Sequence, residues 1–157
     1  MRNGSNNGNL VALACPYNQL TALDVSNNTQ LEHIICFDNH IPLTDLFAAS
    51  TMLASPGIFG TQTLFPRSVH PGTELFEDQS IFNGIYTDYI VTKNDVPAPA
   101  NDYTVTNGKI VFHNPGFYEV TMTNDAIISI ENYPTELLLT LWFWELLSSL
   151  LQRFPLA

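Results

Sequence analysis

Two different rhythms of apolar and polar positions run along this chain. Between Leu10 and Ile41 the pattern repeats every 21 residues: Leu10 matches Leu31, Leu13 matches Ile34, Cys15 matches Cys36, Asn18 matches Asn39, and Leu20 matches Ile41. The same offset relates Ser5-Asn6-Asn7 to Ser26-Asn27-Asn28, so the first nine residues read as the tail of an earlier unit. In each unit a short strand turns its apolar residues, Leu10, Leu13 and Cys15, inward, and the chain then rounds a corner. Asn18 and Asn39 stand at those corners, where a side-chain amide can bond backbone groups left unpaired. Leu20, Leu23 and Val25 return along the other side. After Ile41 the spacing becomes helical: Pro42 suits a first turn, and Leu43, Leu46, Phe47 and Ser50 come after it on one face. The spacing predicts a short helix over 43–50 that closes the open end of the stack, as terminal repeats require.

From Thr61 the period drops to two, with frequent turn residues. Strands are predicted at 61–64 with 67–69, then 73–76, 86–92, 103–106, 109–112, 116–123 and 127–130, and a last one over 136–141. Asn107-Gly108, between two alternating runs, is a strong hairpin signal because both residues tolerate positive φ. Ser55-Pro56-Gly57 breaks the chain where the rhythm changes, which divides it into 1–57, 58–141 and a tail, 142–157. The stretch from Leu137 to Leu151 is nearly all apolar, yet shorter than the roughly 20 residues a spanning helix needs. Membrane contact, if the chain makes any, is confined to that tail.

The run LTALDVSNNTQL followed by a Cys-bearing strand resembles the short leucine-rich repeats of cell-surface proteins from anaerobic gut and oral bacteria. Asn114-Pro115-Gly116-Phe117-Tyr118-Glu119-Val120 resembles the opening of an immunoglobulin-type F strand, with Val120 where antibody domains carry Cys. The resemblance covers roughly Ser5 to Ile130. It implies a fold that is mainly β, or α+β: the C-terminal end of a leucine-rich-repeat solenoid with its capping helix, then an immunoglobulin-like β-sandwich. It also implies that the Tyr118 hydroxyl anchors the preceding corner and that the protein is extracellular or at the cell surface. Roughly three or more repeats are needed to bury a repeat's apolar face and fewer are present, so the expectation is that a longer array extends N-terminally or that a partner layer is missing. No secretory signal is visible in the polar, Asn-rich N-terminus.

Charge narrows the partners. Against 15 acidic residues stand 5 basic ones, for a formal net of −10, and Arg2, Arg67, Lys93, Lys109 and Arg153 are all isolated from one another. Nucleic-acid binding needs clustered cations and is excluded. Cys15 and Cys36 recur at one inward position and read as small buried hydrophobes. His33, Asp38 and His40 carry metal-ligand chemistry, but a strand and a corner splay them apart, so no metal and no cofactor is expected. No nucleophile elbow, zinc-protease motif or phosphate loop occurs, so the expectation is a protein that is not an enzyme. Binding residues are instead expected on the outward face of the repeat strands: Ala12, Ala14, Glu32, His33 and Ile35, with Tyr17 and Phe37 just beyond. The expected function is adhesion-type binding of a host or bacterial protein or glycan, with the sandwich as spacer. The other reading is an accessory module of a larger secreted degradative enzyme.

Overall fold

The structure is a computed structural model that describes residues 7–143. The opening of the Ser5-Asn6-Asn7 turn, and the tail from residue 144 onward, lie outside the described residues.

The 21-residue rhythm produces a parallel ladder. Strand β1 (Ala12–Ala14) pairs with β2 (His33–Ile35), Ala12 opposite His33 and Ala14 opposite Ile35. Leu13 and Ile34 turn inward, and Ile34 is fully buried. Helix α1 (Leu43–Ser50) comes next as the spacing predicts, and it buries Leu43, Leu46 and Ala49.

The helix does not close a solenoid. A third parallel run comes after it in sequence, with Ile58 opposite Ile35 and Gln62 opposite Asn39. The Ile58 N–H donates to the Ile34 carbonyl at 2.9 Å, and the Cys36 N–H donates to the Ile58 carbonyl at 2.9 Å. Helix α1 therefore occupies the return between the second and third runs. It docks sideways on the segment around a 3-10 turn at Glu77–Gln79: the Leu43 N–H donates to Gln79 Oε1 at 2.9 Å, and the Phe47 ring lies 5.0 Å from Phe82. The expected solenoid end with a capping helix is thus corrected to a short open ladder.

That third run leads directly into the main sheet. Strand β3 (Thr61–Thr63) pairs with the last strand, β13 (Glu136–Phe143), in parallel, and β4 (Arg67–Val69) pairs with the same strand further along. Beyond β13 the order continues through β12 (Phe117–Thr123), β8 (Asp88–Lys93) and β9 (Val96–Pro97), all antiparallel. A separate sheet of three joins β10 (Tyr103–Thr106), β11 (Lys109–Phe112) and β5 (Glu74–Leu75). A two-stranded ribbon is formed by β6 (Ile81–Phe82) and β7 (Ile85–Tyr86).

The second half thus comprises several small sheets, one of them mixed, where an immunoglobulin-like sandwich of two antiparallel sheets was expected. The four residues 127–130 form no strand and make only a single bridge, Ser129 to Gly57. The period of two still decides which side chains are inside. Val91, Tyr118, Val120, Met122, Leu137, Leu139 and Leu141 are buried on one face of the main sheet, in one core with Ile110 and Phe112. Between β10 and β11, Asn107 and Gly108 both take positive φ, 51° and 72°. A side chain on Gly108 would put its Cβ 1.8 Å from the Ser80 carbonyl oxygen.

Candidate functional site

The corners of the ladder are built by a column of amides. Asn39 Nδ2 lies within hydrogen-bond distance of the carbonyls of Cys15 (2.9 Å), Cys36 (2.9 Å) and Phe37 (3.2 Å), and its Oδ1 accepts the Leu20 N–H at 3.1 Å. Asn18, one layer out and exposed, donates to the carbonyls of Cys15 and Pro16. Gln62, buried, repeats the role in the third run. It donates to the Cys36 and Phe59 carbonyls at 2.9 and 2.8 Å and accepts the Ile41 N–H at 3.2 Å. Each cysteine carbonyl therefore receives one amide from its own corner and one from the next. Gln62 escaped notice because its offset from Asn39 is 23 (39 to 62), not 21, and because it is Gln rather than Asn.

Cys15 and Cys36 are free thiols at equivalent positions. Burial pushes the Cys36 thiol up to about 12, with Cys15 adding to the effect, and raises Cys15 as well. Neither group has the thiolate character that a nucleophile requires.

Of the outward residues, Ala12, Ala14, Glu32 and His33 are exposed, and Ile35 is partly covered. The structure brings Tyr17 and Phe37 into direct contact, rings 5.0 Å apart and nearly perpendicular. A third ring, Tyr133, arrives from the loop before β13 and stacks on Phe37 at 5.8 Å. Tyr17 is 76% exposed and Tyr133 45%. Nothing periodic in the sequence announces Tyr133, which sits in an Asn-Tyr-Pro turn.

The backbone beneath these rings is constrained. Tyr17 and Asp38, equivalent in the repeat, both take left-handed φ, 55° and 54°, which bulky residues rarely adopt. Phe37 lies over Gly60, where a Cβ would meet its own Cβ at 2.5 Å. The ledge is thus aromatic and assembled from three separate segments.

The Tyr118 corner forms a second polar centre. Its hydroxyl lies 3.0 Å from the Asn114 carbonyl and 2.8 Å from Asp102 Oδ2, so its one proton has two acceptors. Lys93 Nζ donates to the same Asp102 oxygen at 2.6 Å, and Asn114 Nδ2 donates to Oδ1 at 2.8 Å. The bond from Lys93 holds the Asp102 carboxyl below its ordinary range, and the Lys93 ammonium is correspondingly raised. Every carboxylate oxygen is engaged internally, so this centre ties the corner together and offers no open acid or base.

His33 and Asp38 are exposed, while the His40 ring lies 4.4 Å from Phe65 with Nδ1 against the Thr63 carbonyl. Among the described residues no three metal-ligating side chains converge, and no helix is long and apolar enough to cross a membrane.

No family model matches this chain, and no curated protein matches it. The suggested kinship with one particular kind of bacterial repeat protein therefore has no family match behind it. Among solved structures, an internalin-like protein of Listeria monocytogenes is similar over 87% of this chain at 16% identity and a TM-score of 0.38, the chain spanning 51% of that neighbour.

Proposed function

We propose that this chain is a non-catalytic binding module of a surface or secreted protein, with the ledge of Tyr17, Phe37 and Tyr133 as its contact surface. The observation that carries this reading is the ledge itself. Large exposed aromatic side chains are costly to leave in water, and two of them, Tyr17 and Tyr133, held against the half-buried Phe37 are organised for contact before any partner arrives. Burial of the Cys36 thiol and full engagement of Asp102 by its neighbours agree with a chain whose polar groups hold structure rather than perform chemistry. An acidic surface poor in Lys and Arg suits a protein or glycan partner rather than nucleic acid.

The reading is tested by titrating isotope-labelled protein with libraries of peptides and oligosaccharides and mapping the amide resonances that move. Residues 14–18, 36–40 and 131–135 are expected to respond as one group. Ligands that bind but perturb only the far side of the main sheet would overturn the assignment of the ledge.

A further inference from the structure

We infer that the ledge takes a neutral pyranose oligosaccharide, an inference that rests on the ledge being the binding surface. The first ground is shape. A pyranose presents a face of C–H bonds rimmed by hydroxyl groups, and its natural complement is an aromatic face rimmed by amides and carboxylates. Tyr17 and Tyr133 supply exposed rings on either side of Phe37. Next to them in sequence stand the exposed side chains of Asn18, Gln19, Asp38, Glu131 and Asn132, which can accept or donate to hydroxyls.

The second ground is rigidity. The Tyr17 N–H donates to the Phe37 carbonyl at 3.1 Å, and the Tyr133 N–H donates to the Ile130 carbonyl at 2.9 Å. The Tyr133 carbonyl in turn accepts from Ser129 Oγ at 2.6 Å. A backbone fixed in this way leaves only side-chain freedom to be lost on binding. The loop that carries Tyr133 also lines an open hollow with Asn124, Asp125, Ile128 and Glu131.

The third ground is charge. Lys93 and Lys109 are bound to Asp102 and to Glu74 and Glu77, and Arg67 lies on β4. Beside the three rings in sequence stand the carboxylates Asp38 and Glu131 and no Lys or Arg. Sulfated, uronic and sialylated sugars would be repelled, which leaves neutral ones.

The test applies the whole chain to a broad array of neutral and anionic glycans, with a proline-rich decapeptide as a competing aromatic-ledge ligand. Neutral glycans are expected to bind, and Tyr17→Ala or Tyr133→Ala to weaken them about tenfold each, the scale of losing one anchoring ring. Tyr17→Phe should retain most of the affinity, and all three variants should keep the parent unfolding midpoint. Binding of anionic glycans in preference, or of neutral ones undiminished by both alanine variants, would overturn the proposal. If only the decapeptide moves the ledge resonances, the sugar assignment fails and the ledge remains a binding surface. If neither ligand class touches the ledge, both readings fail.

Discussion

At Tyr118 a ring in the core carries a hydroxyl that must be satisfied, and the Asn114 carbonyl and Asp102 carboxylate both do so. Tyr118→Phe leaves the packing intact but removes the hydroxyl proton from both acceptors: Asp102 keeps its bond from Lys93, whereas the Asn114 carbonyl loses the tyrosine. We expect a loss of roughly 1–3 kcal/mol, the scale for stranding a buried polar partner, read from the denaturation midpoint. The same centre sets an acid limit. Because the Asp102 carboxyl is lowered in the folded chain, its contribution is present above the unfolded value of about 3.9 and is lost as pH falls through the lower folded value. Asp102→Asn should flatten the stability profile below about pH 4 relative to the parent; an identical acid slope in both proteins would contradict this. The thiols titrate at the other extreme. Cys36 is raised from 9.0 to about 12, so its contribution is present below 9 and declines as pH climbs toward 12. At neutral pH Cys36 should react with a thiol reagent only after denaturation, and fast native labelling would show that the inward position is misassigned. The corner role of Tyr118 was legible because its signal is local: seven consecutive residues, Asn114 to Val120. Asp102 and Lys93 reach it across turns of unpredictable length, and no spacing rule connects them.

On the scale of elements, the amide column links sequence to structure most directly. Asn18, Asn39 and Gln62 perform one task at three depths, so their substitutions should form a graded series. Asn39→Ala and Gln62→Ala each leave buried backbone groups without partners and should cost about 1–3 kcal/mol. Asn18→Ala leaves groups that water can reach and should cost about 0.5 kcal/mol or less. Equal losses at all three positions would mean that the column is not what holds the corners. The period of 21 revealed two of the three members, the strands β1 and β2, and their register. It hid the third because α1 intervenes and stretches the offset to 23, while the longer Gln side chain spans the altered corner. The same place in the return explains why α1 looked like a cap. Its apolar face is genuine, but the spacing of Leu43, Leu46 and Phe47 says only that a face is buried. That the face meets Phe82 and Gln79 is a tertiary fact. In the second half, alternation placed β8, β11, β12 and β13 to within a few residues of their observed bounds. Which strands pair was not encoded locally, and the parallel pairing of β3 and β4 with β13 joins residues some 75 positions apart.

For the molecule as a whole, the open question is whether the division at residue 57 separates units that stand alone. The segment 51–56 is largely exposed, whereas Gly57–Thr63 is hydrogen-bonded on both flanks. On one side Ile58, Thr61 and Thr63 pair with the Ile34–Asn39 stretch; on the other, the Gly57 carbonyl accepts from the Ile130 N–H at 3.0 Å and from Ser129 Oγ at 3.1 Å. Thr61 to Thr63 then lie against β13. A protease needs several residues of free backbone, so the first cut within the described residues should fall in 51–56 and spare 57–64. The behaviour of the nicked chain decides the matter. The fragment ending at the cut would keep its hold on the remainder through the ladder to residues 57–63, the docking of α1 on Gln79 and Phe82, and the ring contacts of Phe37 with Tyr133 and His40 with Phe65. If the two halves are modules, as the change of rhythm proposes, the nicked fragments should separate on size exclusion without denaturant, and each should keep its own near-ultraviolet signature. If they co-elute and come apart only in denaturant, the third ladder run serves both halves at once and the boundary at 57 has no independent physical meaning. Early cuts within 103–123 would instead show that the sheets of the second half open before the junction does.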